Sequence, residues 1–260
     1  MSTSPRSPAR LLVLAKIAAI LDAFSLAEPE LSLVEIRQST SLPASTVQRL
    51  VGNLVLSGFL DRTSGGYSIG KRLSYWAASA PQSSDVVEAV KPVMMNLRDD
   101  TGEAVCLFTS SQTYRVCIAM CETPHLLHTA MRVGRIMPLH VGSAGRVLLA
   151  WNQVLMERVI AQGLDPLTNR TITEAEALRE NVLQCHRDGY AITVGERESG
   201  ASGLSAPVFN AQSELEGALT VMGPSLRMSR EFCEASVGRL LEAAEAATRL
   251  IGGRRPGIRS

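Results

Sequence analysis

Residues 31–70 read LSLVEIRQSTSLPASTVQRLVGNLVLSGFLDRTSGGYSIG, and this stretch decides the fold of the N-terminal part of the chain. Ser32 and Glu35 have the spacing of a capping box, in which each side chain bonds the other residue's backbone N–H, so a helix begins here. Pro43 is placed for the first turn of a second helix, expected over about 44–57. Two short β-prone runs around Gly65 and Gly66 then predict a hairpin. Two helices and a hairpin in this order predict a winged helix-turn-helix, which is typical of DNA-binding proteins.

The second helix of this unit has one apolar and one polar side. Val47, Leu50 and Leu54 fall on the apolar side. No acidic residue lies between Glu35 and Asp61, so nothing in this stretch repels phosphate. A recognition helix turns its N-terminal residues to base edges, while wing residues meet the backbone or the minor groove. The predicted DNA-contacting residues are Ser45, Thr46, Gln48 and Arg49 on the helix, and Arg62 and Tyr67 on the wing. Helix-turn-helix units also serve in protein interfaces, and Tyr67 is equally suited to packing under the wing.

Length and composition favour a two-domain globular protein. The chain has 260 residues, more than a typical single domain, with 45% hydrophobic and 20% charged residues. Pro81-Gln82-Ser83-Ser84 is the clearest linker. We predict a disordered tail over 1–8, the winged helix-turn-helix over 9–70, a linker helix and linker over 71–84, a second domain over 85–252 and a tail over 253–260.

The second domain has an α+β pattern, with a mainly antiparallel sheet covered by helices. A helix is expected over 85–99, with a bend at Pro92. The predicted strands are 104–109, 114–120, 126–132, 191–194, 203–209 and 215–222. The predicted helices are 144–151, 153–162, 174–188 and 230–251.

Charge and targeting features point to a cytoplasmic protein whose DNA contact is weak in a single copy. The net charge is +1, and residues 1–75 hold eight basic and five acidic residues. So small an excess suggests that several modules act together in an oligomer. No apolar run is long enough to span a bilayer, and residues 1–8 lack the apolar core of a signal peptide.

The five cysteines are interpreted as reduced thiols in apolar surroundings. Cys117, Cys121, His125 and His128 can be written as a zinc-like series. A structural zinc site places its paired cysteines on a tight knuckle, whereas 117–121 has the pattern of a strand. We therefore expect no metal, and no cofactor either.

The second domain carries no motif of a known catalytic class. The chain has no G-x-S-x-G elbow, P-loop, dinucleotide glycine fingerprint or H-E-x-x-H helix. Residues 141–145, VGSAG, enter a predicted helix with small side chains. The N–H groups of such an entrance can bind an anion, and a tight packing loop explains the same residues.

The motifs together resemble the IclR-type transcriptional regulators. Residues 42–50, LPASTVQRL, are similar to the recognition helix of that family. The likeness continues in the family's order through residues 101–105, 133–134 with 138–140, 142–150, 189–190, Glu196 with Gly200, 206–208 and 223–224. It covers about residues 10–252 and implies a DNA-binding regulator that forms homodimers pairing into tetramers.

The resemblance also implies an effector site in the second domain. Carried across by position, its residues are Gly142, Ser143, Ala144, Thr193, Glu196, Gly203, Ser205, Thr220 and Met222. Three of them differ from family members that bind small keto acids: Thr193 replaces an aspartate, Gly203 a cysteine and Met222 a serine. Residues 195–200 and 205–208 look more like the actinobacterial regulators of amino-acid (leucine) biosynthesis and nitrogen-dependent growth.

The hypothesis is therefore a cytoplasmic transcriptional regulator whose affinity for double-stranded operator DNA changes when a small effector binds. An amino acid or related carboxylate is expected, with Ser143 and the helix entrance holding its carboxylate and Glu196 its ammonium group. The alternatives are an enzyme acting on small acids or esters, and an oligomerisation scaffold with a vestigial pocket. Operator sequence, target genes and the direction of regulation do not follow from the residues.

Overall fold

The computed structural model describes residues 12–24, 28–79 and 84–256. Two compact units divide between Gln82 and Ser83. The disordered tail predicted over 1–8, the linker at 80–83 and the last four residues lie outside the described part of the chain.

The first unit is built of helices and a small sheet. Its helices are α1 (Leu12–Asp22), α2 (Leu33–Thr40), α3 (Ala44–Leu56) and α4 (Lys71–Ser79), and its strands are β1 (Glu30–Leu31), β2 (Leu60–Arg62) and β3 (Tyr67–Ile69). Helices α1 to α3 and the sheet enclose one apolar core, which contains Ile20, Leu31, Ile36, Val47, Leu50, Val51, Leu54, Leu60 and Tyr67. Burial of these side chains is the main stabilising term for the unit.

The start of α2 and the turn between α2 and α3 form as the sequence predicts. The Ser32 hydroxyl accepts from the Glu35 N–H at 3.3 Å, and the Glu35 carboxylate accepts from the Ser32 N–H at 2.8 Å, which confirms the capping box. Helix α2 ends at Ser41 in the left-handed conformation, with a φ of 54°. Pro43 then precedes α3 with extended backbone, so the two helices are joined by a tight turn.

Strand β1 adds a feature that the sequence pattern did not predict. It pairs with β3, giving the order β1-β3-β2. The Glu30 carboxylate at its start accepts from the Gly65 N–H at 2.7 Å and from the Thr63 hydroxyl. Glu30 therefore holds the turn of the hairpin from outside it.

The second unit surrounds a six-stranded antiparallel sheet. Its strands are β4 (Ala104–Ser111), β5 (Tyr114–Cys121), β6 (Ile136–Pro138), β7 (Ala191–Val194), β8 (Ala201–Phe209) and β9 (Leu215–Pro224), in the order β6-β5-β4-β9-β8-β7. Its helices are α5 (Ser84–Thr101), α6 (Ser143–Ala150), α7 (Gln153–Gln162), α8 (Ala175–Asp188) and α9 (Arg230–Leu250). This α+β architecture confirms the predicted fold class.

Helices cover both faces of the sheet, so there are two apolar cores. One core packs α6, α7 and α8 on the face that carries Cys106, Cys117 and Met222. The other packs α5 and α9 on the face that carries Leu107 and Leu219. Successive side chains of a strand point to opposite faces, which is why neighbouring residues of β4 and β9 divide between the cores.

A β-bulge in β5 changes this alternation. Leu107 pairs with Ala119 and Phe108 with Cys117, so Ile118 is an extra residue. As a result Cys117 belongs to the core under α6, whereas Cys121 belongs to the core under α5 and α9. The two thiols of the zinc-like series do not face a common ion. Within the described residues, no three His, Cys, Asp or Glu side chains are grouped to hold a metal.

One predicted strand is wrong. Residues 126–132 are irregular, and Leu126 and Leu127 are exposed. Their backbone is tied instead by Arg227, which donates to the Leu127 carbonyl at 2.9 Å. The three-residue strand β6 was missed, because a run so short carries no alternating pattern. None of the described helices is long and apolar enough to cross a membrane.

Candidate DNA-binding surface and effector site

Helix α3 presents its predicted polar residues at the surface of the first unit. Ser45, Gln48 and Arg49 are exposed and Thr46 is half-buried. The opposite side of the helix is buried in the core through Val47, Leu50, Val51 and Leu54. No side chain of the described residues caps the start of α3, so its first N–H groups remain available to an acceptor such as a phosphate oxygen. The surface therefore combines exposed polar side chains with backbone N–H donors at the helix start.

The two predicted wing residues differ in their placement. Arg62 is exposed, but the Tyr67 ring is only 9% exposed and packs in the core, so it does not form the DNA-facing surface that we predicted for it. The Arg62 Nη2 donates to the Tyr67 hydroxyl at 3.2 Å, and the guanidinium lies 5.7 Å from the ring centre. This hydrogen bond raises the pKa of Arg62. Tyr67 therefore supports the wing, as its large apolar ring favours.

The predicted effector residues of the second unit come together at the start of α6. Ser143 Oγ and Ser205 Oγ are 2.7 Å apart, and Ser205 Oγ and Thr220 Oγ1 are 2.8 Å apart. The Ser143 N–H donates to Thr193 Oγ1 at 3.0 Å. All four residues are buried. These hydrogen bonds link polar groups of α6, β7, β8 and β9 into one continuous chain under the helix start.

Two glycines allow this close approach. Gly142, which precedes α6, has a φ of 79°, a conformation that disfavours any side chain. A Cβ at Gly203 would lie 2.7 Å from Ser143 Oγ. Ala144 and Met222, the remaining predicted residues here, are buried in the core under α6.

Glu196 lies at the same helix start, but its carboxylate is already bonded. Its Oε2 accepts from the Gly142 N–H at 3.0 Å and from the Arg146 Nη2 at 2.9 Å. The Arg146 and Glu196 side chains are only 1% and 12% exposed, so this is a buried ion pair. The N–H groups that we predicted for an effector carboxylate are thus occupied by Thr193 and Glu196.

Buried arginines are the functional residues that sequence reasoning missed. Arg115 on β5 donates from Nη1 to the Pro138 and Val141 carbonyls, and Arg146 donates to the His140 carbonyl. Together they clamp the loop that leads into α6. The sequence held a clue, because each arginine stands where the strand or helix pattern requires an inward-facing apolar residue.

This region holds more buried positive than negative charge. Among the described residues, Arg115 is in no ion pair, and its Nε has no hydrogen-bond partner. Burial first, and then the nearby Arg197 and Arg146 charges, lower the pKa of Arg115 to about 9, so it stays protonated at neutral pH. An anion placed here would offset positive charge that the Glu196 carboxylate balances only in part.

Comparisons with known proteins agree with both units. The family model for the IclR helix-turn-helix domain matches residues 13–64, and the model for the bacterial transcriptional regulator IclR C-terminal matches residues 78–249. The transcriptional repressor IclR of Escherichia coli is 27% identical over 232 residues, covering 86% of this chain and 84% of that protein.

Solved structures share the fold. An IclR transcriptional regulator from Silicibacter sp. TM1040 aligns with a TM-score of 0.79 and 24% identity, over 94% of this chain and 98% of that one. An IclR homologue from Microbacterium hydrocarbonoxydans, solved with 4-hydroxybenzoate, aligns with a TM-score of 0.77 and 24% identity, over 92% and 98% of the two chains.

Proposed function

From the premise that this chain belongs to the IclR family of bacterial transcriptional regulators, we propose how its two sites act. Members of the family bind DNA and respond to effectors, and they are regulators rather than enzymes. We propose that α3 reads the operator through Ser45, Thr46, Gln48 and Arg49, with Arg62 contacting the backbone beside it. The exposure of these side chains on a helix whose other side is buried supports this assignment.

The proposed effector is a small carboxylate bound at the start of α6. The observation that carries this proposal is the buried Arg115, which is in no ion pair of the described residues. It lies against Gly142, next to the hydroxyl groups of Ser143, Ser205 and Thr220. A carboxylate would accept from these hydroxyls and balance the guanidinium charge. Around them lies an apolar core that would receive an apolar body of the ligand. Such a ligand changes operator affinity only if it binds two arrangements of the protein unequally.

An amino-acid effector is the narrower version of this proposal, and the comparisons above do not support the amino-acid subgroup. It requires Glu196 to accept an ammonium group while it holds Arg146 and the Gly142 N–H. One carboxylate has lone pairs for all three donors. Glu196→Gln tests this version, because it keeps the shape of the side chain and removes the charge that an ammonium group needs.

Thermal melting with matched ligands tests the proposed site. Leucine, its keto acid and 4-hydroxybenzoate would each be compared with the corresponding amide, in which an uncharged carboxamide replaces the carboxylate. We expect at least one acid, and no amide, to stabilise the protein, by about 2.7 kcal/mol at a hundredfold excess over its Kd. Arg115→Gln should abolish the shift, while the control Arg179→Gln, at a half-buried arginine on α8 near the surface, should retain it. Equal shifts with acids and amides, or turnover of the ligand, would contradict the proposal.

Operator binding gives the second measurement. Fluorescence anisotropy of labelled DNA from upstream of the gene should show an affinity that changes when the stabilising acid is added. We further propose that the protein works in the cytoplasm as a homodimer or a pair of dimers, which the small positive excess of residues 1–75 supports.

A further inference from the structure

The loop after β7, residues 195–200, connects the two outer strands of the six-stranded sheet. Strands β6 and β7 lie at opposite ends of the strand order, yet Nη1 of Arg197 in this loop lies 3.7 Å from Sδ of Met137 on β6. The Thr171 hydroxyl donates to the Glu196 carbonyl at 2.7 Å and so holds the loop in place. The loop therefore brings an arginine from one edge of the sheet to the other.

The same sulfur atom is contacted by a second arginine. Arg115 pairs with Met137 across β5 and β6, and its Nη2 lies 3.9 Å from the Met137 Sδ. Arg115 is 3% exposed, Met137 is 4% exposed and the Arg197 side chain is 13% exposed. Two largely buried guanidinium groups thus share one uncharged thioether, which is only a weak acceptor. A carboxylate would bind both groups more strongly, because it accepts charge-assisted hydrogen bonds from each.

The ion pairs of the two arginines leave room for a further negative charge. Arg197 Nη2 lies 3.0 Å from the Glu198 carboxylate, but the Glu198 side chain is 53% exposed, so water screens this pair. Arg115 is in no ion pair of the described residues, and its Nε has no hydrogen-bond partner. Burial lowers the pKa of both arginines, and the charge of Arg197 lowers that of Arg115 further. An anion between them would relieve this repulsion.

Two places that favour an anion thus lie on one face of the sheet, with an apolar stretch between them. The hydroxyl groups of Ser205 and Thr220 belong to β8 and β9, whereas Arg115 belongs to β5. Strand β4 lies between β5 and β9, and its Cys106 and Phe108 are part of the apolar core on this face. A ligand that reaches both places is therefore charged at its two ends and apolar in the middle.

We propose that the effector is a dicarboxylate whose second carboxylate binds between the guanidinium groups of Arg115 and Arg197 and moves the Met137 side chain aside. This inference rests on the proposed function, because the first carboxylate is the one placed at the start of α6. Methionine is unbranched and flexible, so its thioether can move without a shift of the strands. Arg197 is then the residue that distinguishes dicarboxylates from monocarboxylates.

Calorimetric titration of the full-length protein with matched ligands tests the proposal. Malonate, succinate, glutarate and adipate would each be compared with its half-amide, which keeps the length and removes one charge. We expect at least one dicarboxylate to bind at least about tenfold more tightly than its half-amide, as charge-assisted hydrogen bonds to two guanidinium groups would give. Arg197→Gln should bind both members of that pair equally, whereas Arg158→Gln, at an exposed arginine on α7, should keep the difference.

Met137 offers a second test, which needs no ligand. Met137→Glu places a carboxylate beside both guanidinium groups, and Met137→Gln has nearly the same shape without the charge. We expect the glutamate variant to melt at a higher temperature than the glutamine variant and to show no preference for dicarboxylates, because its own carboxylate fills the place of the second one.

Three results would overturn the proposal: no dicarboxylate binds more tightly than its half-amide, Arg197→Gln keeps the preference, or Met137→Glu melts no higher than Met137→Gln. The proposed function survives each of them if carboxylates still bind better than amides and Arg115→Gln abolishes that binding. If the wild type binds no acid at all, the proposed function fails and this inference fails with it.

Discussion

Arg146 and Arg179 show how strongly the burial of an ion pair affects its contribution to the stability of the fold. Arg146 is buried on α6 and bonds Glu196 and a loop carbonyl, whereas Arg179 on α8 pairs with Glu157 and Glu176 near the surface. Burial lowers the pKa of Arg146, which is the cost of desolvating a cation. A surface pair is screened by water and contributes little. The fold therefore depends on the first pair and only slightly on the second.

Glu196→Ala should destabilise the second unit by about 3 kcal/mol, because it leaves the Arg146 guanidinium buried with one partner fewer. Urea unfolding followed by circular dichroism measures the change. The control Glu157→Ala removes an exposed partner of Arg179 and should shift the midpoint little. A similar midpoint shift in both variants would show that the buried pair does not stabilise the fold as argued.

The Cys185 thiol on α8 predicts a specific pH dependence. Burial raises its pKa to about 12 from an ordinary value of 9.0. The unfolded chain then loses this proton first, so the stability contribution is fully present below pH 9 and is lost as pH rises toward 12. At pH 10 the loss amounts to about 1.4 kcal/mol. Cys185→Ala should therefore lose less stability than the wild type between pH 8 and pH 10 in urea unfolding, and parallel slopes would contradict this.

Single residues were predictable where their function is local. The capping box needs only Ser32 and Glu35, three positions apart, and it formed as expected. Arg115 bonds the carbonyls of Pro138 and Val141, 23 and 26 residues away along the chain, and Arg146 bonds Glu196, 50 residues away, so no local pattern could assign these partners. Tyr67 fits both a wing surface and a core in sequence, and burial decided between them.

Among the elements, long periodic segments were predicted best. Helix α7 has the predicted bounds, because its apolar residues repeat with helical spacing between a capping Asn152 and a terminal Gly163. The short strands β1 and β6 were missed, since their pairing partners lie far away in sequence. The same reason explains the wrong strand over 126–132, whose apolar residues found no partner strand among the described residues.

Helix α3 is the element for which we predict contact with operator DNA. Arg49→Ala should weaken operator binding by about 1–3 kcal/mol if Arg49 contacts a base, without lowering the melting temperature, because the side chain is exposed. Fluorescence anisotropy with operator DNA measures the affinity. Arg239→Ala, which removes an exposed arginine from α9 in the other unit, is the control and should bind as the wild type does. Unchanged affinity of the Arg49 variant would remove this residue from the interface.

For the whole molecule, the small positive charge of residues 1–75 bears on how many copies of the chain are needed to bind DNA tightly. Residues 1–75 carry a net charge of only +3, although lysine and arginine contacts with phosphate supply much of the affinity of a protein for DNA. Linking two weak modules raises the apparent affinity without new contacts. A symmetric assembly would then require an operator with paired half-sites.

Light scattering of the purified protein should therefore give a multiple of the 27.9 kDa chain mass. Removing one half-site from the operator should weaken binding by a factor of about 100 or more, because the second contact is no longer intramolecular. A 27.9 kDa species that binds the full operator and the half-operator equally well would disprove the assembly.

The bulge at Ile118 decides which face of the sheet the side chains of β5 point to. Odd-numbered residues of β5 point to one face before the bulge and to the opposite face after it. Arg115 and Cys117 therefore face α6, whereas Ala119 and Cys121 face α9. If Ile118 were paired with Phe108 instead of bulged out, the strand segment before it would turn over by one step. The side chains of Arg115 and Cys117 would then point into the other core. In this protein one unpaired residue, rather than any single functional side chain, decides which of the two cores each side chain of β5 enters.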